Sequence, residues 1–280
     1  MSRPSPRHFI RGAVLAREEY VEQEYLFKVL RERMHASATQ ELLRSIRQEI
    51  LATTRLPMAM EFMESSLRHT GSMADAMRNL SHYFSPFQTF LMTEAEREEG
   101  KFDYQIALQI LEREAHCRAE NMIPPGMFLY QFEALSRNRL PYEEGLTAIA
   151  RDPVFDEDWT EWILLLQRQL GLLDFAEMIF VRSDYYVVVH GEESGKTVLF
   201  GEKEGRIALA NRRKDPTYLF MAFQRQLHYP TVPRPVHEES EEMSILKLQR
   251  TVEHLQSRIK ILEDELHGGV DITKYYVTDK

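Results

Sequence analysis

The chain has 280 residues, 43% hydrophobic and 28% charged, an ordinary globular balance in a length that can bury a sizeable core. Its formal charge of -9 argues against a dedicated nucleic-acid binder. Its single cysteine, Cys117, leaves no internal disulfide and no cysteine-rich zinc site, and suits a reducing compartment.

Residues 1–16 carry Arg3, Arg7 and Arg11 but no apolar core of a secretory signal, and are expected to be a flexible arm. The most apolar window, residues 162–189, is interrupted by Arg168, Asp174, Glu177, Arg182 and Asp184, so no membrane span is expected and the address is read as cytoplasmic. Residues 17–122 are expected to form a helical domain. Helical spacing places Tyr25, Phe27, Val29 and Leu30 in the first helix, and Leu42, Leu43, Ile46 and Ile50 in the second. Leu56-Pro57 starts a Met-rich third helix.

Three short helices follow within residues 71–114, each with its own start signal. Ser72 is placed to cap the first. Ser85-Pro86-Phe87-Gln88 combines an N-cap, a proline at the first helical position and a capping-box glutamine. Asp103 is placed to cap the third, with Ile106, Ala107, Ile110 and Leu111 inward. Residues 123–176 form a second helical block. Its Leu140-Pro141 break echoes Leu56-Pro57 at an offset of 84, which suggests a duplicated helical hairpin. Asp156 or Asp158 is placed to cap a helix carrying Trp159, Trp162, Ile163 and Leu166.

From Glu177 onward β-branched and aromatic residues dominate, at 178–181, 185–189, 197–200 and 206–210, with glycine-bearing turns between the later runs. Residues 177–229 are therefore expected to be a small β-meander with one helix, begun by Asp215-Pro216. Residues 230–239 are expected to be a Pro-rich linker. Residues 240–267 form a coiled coil, with Ile245, Val252, Ile259 and Leu266 at a and Leu248, Leu255 and Leu262 at d. Residues 268–280 are a tail. The expected fold is mainly α: a multi-helix body, a small β-meander plus helix module, and a C-terminal coiled-coil helix.

No stretch spells out a reaction. Glu32 with His35 supplies one Glu-x-x-His pair, and Glu112 with His116 share a helix face at a spacing of four. Together they are half of a carboxylate-bridged metal constellation, so they stand only as candidate metal ligands, and no cofactor is expected. Glu94, Glu98 and Glu99 crowd the C-terminal end of a helix, where the macrodipole disfavours anions, and are candidates for receiving a basic protein partner. Arg212, Arg213 and Lys214, with the arginine-bearing arm, are the candidate nucleic-acid contacts. Gly191 to Thr197, GEESGKT, has three residues between its glycines instead of four and is followed by Val198-Leu199-Phe200, which continues as strand in this reading.

The residues Leu56-Pro57, Gly71-Ser72-Met73-Ala74-Asp75-Ala76-Met77, Phe84 and Gly100-Lys101-Phe102 resemble the cytoplasmic helical domains of the type II secretion inner-membrane F protein. Leu140 to Leu146, LPYEEGL, resembles the start of that family's second copy. The resemblance implies paired helical modules. Arg97 stands where that family has glutamate, the spacing after Pro57 is shorter, and the membrane helices are missing. The ATTRLPMAMEF, FLYQFEALSRNRLPY and DPVFDEDWTEWI stretches resemble an uncharacterised bacterial protein family, which implies no function.

The expected function is a soluble non-enzymatic scaffold or adaptor acting through protein–protein contacts, homodimeric through the coiled coil. The alternatives are a metal-dependent enzyme using the acidic helix end and histidines, and a nucleic-acid-binding protein. Because the glycine spacing is wrong for a phosphate cradle, titration with ATP or GTP is expected to show no saturable binding that Lys196→Ala abolishes.

Overall fold

The computed structural model describes residues 14–35, 38–97, 102–191 and 197–234. The chain divides into two compact units between Arg234 and Pro235, and every described residue belongs to the first. Among the described residues there are thirteen helices and no strand. They are α1 (Arg17–Arg33), α2 (Thr39–Glu49), α3 (Leu56–Thr70), α4 (Met73–Asn79), α5 (Pro86–Ala95), α6 (Tyr104–Ala119) and α7 (Pro124–Arg137). The remainder are α8 (Tyr142–Ala150), α9 (Glu157–Gln169), α10 (Phe175–Phe180), α11 (Asp184–His190), α12 (Glu202–Ala210) and α13 (Pro216–Leu227). No described helix is long and apolar enough to cross a membrane.

Local start signals set these boundaries. Asp75 N–H donates to Ser72 Oγ at 3.1 Å, and Ile106 N–H to Asp103 Oδ1 at 3.0 Å. Ser85 and Gln88 form the reciprocal capping box, with both bonds in place. Asp156 caps α9 through Trp159 N–H, and Asp215 caps α13 through Thr217 N–H. Each such cap contributes about 1 kcal/mol by satisfying a donor that the helix leaves open. Gly71, at φ +72°, closes α3 in the left-handed region that a side chain disfavours.

α1 and α6 lie antiparallel. Arg17 meets the carbonyl of Ala119, Glu24 meets His116, and Arg31 meets Glu112 along their length. α7 is the hub: residues 126–135 are all buried, which is the signature of a helix enclosed on every side. On its flank Phe128, Phe132, Phe155, Trp159, Trp162, Phe175, Phe200 and Phe220 form a chain of ring contacts, with centroids 4.6–6.5 Å apart. One hydrophobic cluster extends from Leu26 in α1 to Val232.

Among the described residues the expected β-meander is absent. Residues 178–180 belong to α10, 185–189 to α11 and 206–210 to α12; only 197–200 is extended, joined by a single bridge from Phe200 to Ser183. A lone strand cannot satisfy its backbone, whereas Asp174 and Ser183 each cap a short helix at the two expected strand starts. Gly205 makes the resulting crossing possible, since a Cβ there would lie 2.2 Å from Ser183 Oγ. The first residues of the expected linker also join the body. Val232 is buried, as is Tyr229 just before them, and Asn138 Nδ2 donates to the Pro233 carbonyl at 3.0 Å. The coiled coil at 240–267, with Ile245, Leu248, Val252, Leu255, Ile259, Leu262 and Leu266, lies outside the described residues.

Inside the body sits a charged network. Arg118 on α6 donates to Glu114 Oε1 through Nε at 2.7 Å and Nη2 at 2.6 Å, and its Nη2 also donates to Asp152. Gln88 Nε2 donates to Glu114 Oε2 at 2.9 Å and to Gln23 Oε1 at 3.0 Å, while Gln131 Nε2 reaches both carboxylates at 3.2 Å. The neighbouring carboxylates hold the Arg118 guanidinium charged against the cost of its burial. Replacing Arg118 by Met leaves two buried carboxylates without their cation. Urea unfolding is expected to show a loss of about 3–5 kcal/mol, the usual cost of breaking a buried pair from one side.

Candidate functional site

α4, α5 and α8 enclose a groove of about 710 Å³. Its apolar surface comes from Phe84, Pro86, Phe90 and Ala148, and its neutral polar surface from Ser81, Thr89, Thr93 and Thr147. Arg78, Glu94, Arg97, Glu143, Glu144 and Arg151 line it as well. The capping box fixes the direction in which α5 leaves, which places Thr89, Phe90 and Thr93 on the groove side. α8 stands close to α7 because Gly145 has no side chain; a Cβ there would lie 2.7 Å from both methyl carbons of Leu135.

The charges in the groove are unequally committed. Arg78 pairs with Asp75 and reaches Thr93 Oγ1 at 3.4 Å. Arg97 holds both oxygens of Glu94 at 3.1 Å. Glu94 is only 6% exposed, and burial pushes its carboxyl above the usual range, with Arg97 opposing the shift and Glu144 adding to it. Glu143 and Glu144 are exposed, and their carboxylates have no hydrogen-bond or ion-pair partner among the described residues. They occupy the first turn of α8, where the helix dipole favours an anion.

The acidic end of α5 therefore has two fates. Glu96 is turned inward as an extra cap for α4. It accepts from Ser72 Oγ at 2.7 Å, Met73 N–H at 2.7 Å and Ala74 N–H at 3.0 Å. An anion misplaced on its own helix is thus well placed at the start of the next. Glu94 faces the groove. Glu98 and Glu99 lie outside the described residues.

The four candidate metal ligands lie along the α1–α6 contact, tied to other partners. Arg31 Nε donates to Glu112 Oε2 at 3.0 Å and lies 3.9 Å from Glu32. His116 Nδ1 is 3.1 Å from Glu24 Oε2, and His35 Nε2 is 2.8 Å from Gln105 Nε2. No group of three His, Cys, Asp or Glu side chains among the described residues is arranged to hold a metal. Burial and the Glu114 charge push the thiol of Cys117 upward, so it stays protonated and unreactive. Of the basic run, Arg212 pairs with Glu177 and lies 4.2 Å over the Phe180 ring, and Arg213 N–H donates to Asp174. Lys214 remains exposed.

Sequence reasoning found Glu94 but missed Glu143, Glu144 and the groove arginines. Two glutamates in a first helical turn are unremarkable by composition. Only the packing of α8 beside α5, some fifty residues earlier, makes them one wall of a shared hollow.

Glu94 also gives a pH prediction. A carboxyl whose folded pKa lies above the unfolded value favours the fold while protonated, and that stability is lost as pH rises through the folded value. Glu94→Gln is expected to leave the neutral-pH melting midpoint unchanged or slightly higher, and to flatten its decline above about pH 4.5. Thermal melts across pH 4–8 check this. No family model, curated protein or solved structure matches this chain, and the groove is interpreted on its own geometry.

Proposed function

We propose that this protein is a non-enzymatic helical scaffold or adaptor that docks a basic segment of a protein partner in the α4–α5–α8 groove. The observation that carries this reading is the groove's combination of surfaces. Phe84 and Phe90 offer an apolar floor, while Glu143 and Glu144 stand at the rim with no ion-pair partner among the described residues. A small number of apolar anchors beside unpaired rim charges suits peptide docking: the floor supplies affinity and the rim supplies selection. The network behind the groove holds its walls in place, so little reorganisation accompanies binding.

The proposal includes a homodimer through Ile245, Leu248, Val252, Leu255, Ile259, Leu262 and Leu266, in parallel register. Its support is the unbroken heptad pattern, with β-branched residues at most a positions and leucine at d. A duplicated helical hairpin, as the F-protein resemblance implies, is supported by the way α2–α3 and α7–α8 both turn at a Leu-Pro pair.

Two measurements test these readings. Ala148→Trp fills the groove from a position that is 9% exposed. Proteins from the host that are retained by the wild type are expected to be lost by this variant, while its melting midpoint holds. Retention of the same proteins would move the docking site elsewhere. Leu255→Asp with Ile259→Asp places charges in the seam, each costing several kcal/mol if buried, and light scattering should then report a monomer with an intact helical body.

A further inference from the structure

We propose that the groove receives the exposed face of α13 from a second copy of this chain, making a head-to-tail contact. This rests on the reading of the groove as a docking site and names its occupant. The exposed side of α13 has the required chemistry. Tyr218, Met221 and Arg225 follow at helical spacing along α13 on one stripe about 10 Å long, and Lys214 stands in the turn just before the helix. Tyr218 is 62% exposed and Met221 is 44% exposed, and together with the two flanking cations they border a hollow of about 420 Å³. Neither Lys214 nor Arg225 has a side-chain partner among the described residues. An apolar stripe ended by two cations is a local exception in a chain of net charge -9.

The stripe complements the groove in sign and polarity: its cations are opposite in charge to Glu143 and Glu144, and its tyrosine and methionine suit the Phe90 and Ala148 floor. The groove and the stripe share no lining residue. The opposite side of α13 is buried through Leu219, Phe220 and Phe223, so the helix is held in place and cannot swing into the groove of its own chain. A second copy is therefore the acceptor. Because each chain presents one half of the contact at each site, the interface is heterologous and propagates unless rotation closes a ring. Added to a coiled-coil dimer, it would extend the assembly beyond two chains.

Sedimentation velocity of the full chain at increasing concentration tests this. The expected result is a species larger than the coiled-coil dimer by about 200 µM, the weak range of a small polar-rimmed contact, reduced by added salt. Glu143→Lys with Glu144→Lys, and separately Lys214→Glu with Arg225→Glu, are each expected to weaken that association about tenfold through like-charge repulsion. An equimolar mixture of the two variants should recover it, because a basic groove then meets an acidic stripe. Absence of any species larger than the dimer in the wild type, or a mixture no better than either variant alone, overturns the proposal. Binding of a single-stranded oligonucleotide by the stripe without self-association also overturns it, and reassigns that face. If self-association fails while Ala148→Trp still abolishes capture of a host protein, the groove remains a docking site and only the second copy is excluded as its occupant.

Discussion

The pairing of Arg118 with Glu114 and Asp152 is the constraint on which the rest of the body depends. A single guanidinium ties α6 to the turn between α8 and α9, and the amides of Gln88 and Gln131 bring α5 and α7 to the same point. Gln88 passes the connection to Gln23 on α1, and Gln23 donates to the carbonyl of Tyr83 at 3.3 Å. Tyr83 donates its hydroxyl to Glu19, which also accepts the backbone N–H of Arg55. Helices contributed by residues 19 to 152 thus share one polar system. Such a system adds little net stability over a well-packed apolar core, because desolvating the ions offsets their attraction. Its effect is on register: a slip of α6 by one turn would part Arg118 from Asp152 and leave that buried carboxylate without its cation.

The same network places the groove. Gln88 precedes Thr89 and Phe90 of the groove surface, and Asp152 follows Arg151 of the opposite wall. Two walls far apart in sequence are therefore referred to one buried point. Tyr229 extends this logic to the end of the body, donating to Glu133 at 2.7 Å while Arg137 pairs with the same carboxylate. Here again a buried carboxylate is met by a donor from a distant element as well as by an arginine of its own helix.

What was legible in the sequence was local. Ser72, Ser85 with Gln88, Asp103, Asp156 and Asp215 each start a helix because a short polar side chain must satisfy the open N–H groups within three residues. The region of residues 178–210 was misread because valine and tyrosine favour strands only where a neighbouring strand accepts their backbone. Tyr185 to Val189 has no such neighbour, and α11 fully buries none of its residues; the Ser183 cap starts the helix, and Tyr185 and Tyr186 hold it against Phe180. Glu96 stayed hidden for the complementary reason. Its role as a cap for α4 belongs to a turn that spacing along α5 cannot reveal.

The unequal commitment of charge is the step that links this architecture to docking. An arginine that already holds a carboxylate offers little to a ligand, since a new contact must replace the old one at nearly equal cost. Arg97 and Arg78 are in that position; Glu143 and Glu144 are not. Counting charges would call the groove neutral, whereas following Arg78, Arg97 and Glu94 to their partners singles out Glu143 and Glu144 as its uncommitted anions among the described residues. Glu94 sharpens the contrast. Held by Arg97 and raised by burial, it adds little field at the rim, and its exchange for glutamine bears on the stability of the fold more than on recognition. In the proposed docking, selectivity for a cation resides in the first turn of α8, on a helix that Gly145 allows to sit close against the buried hub.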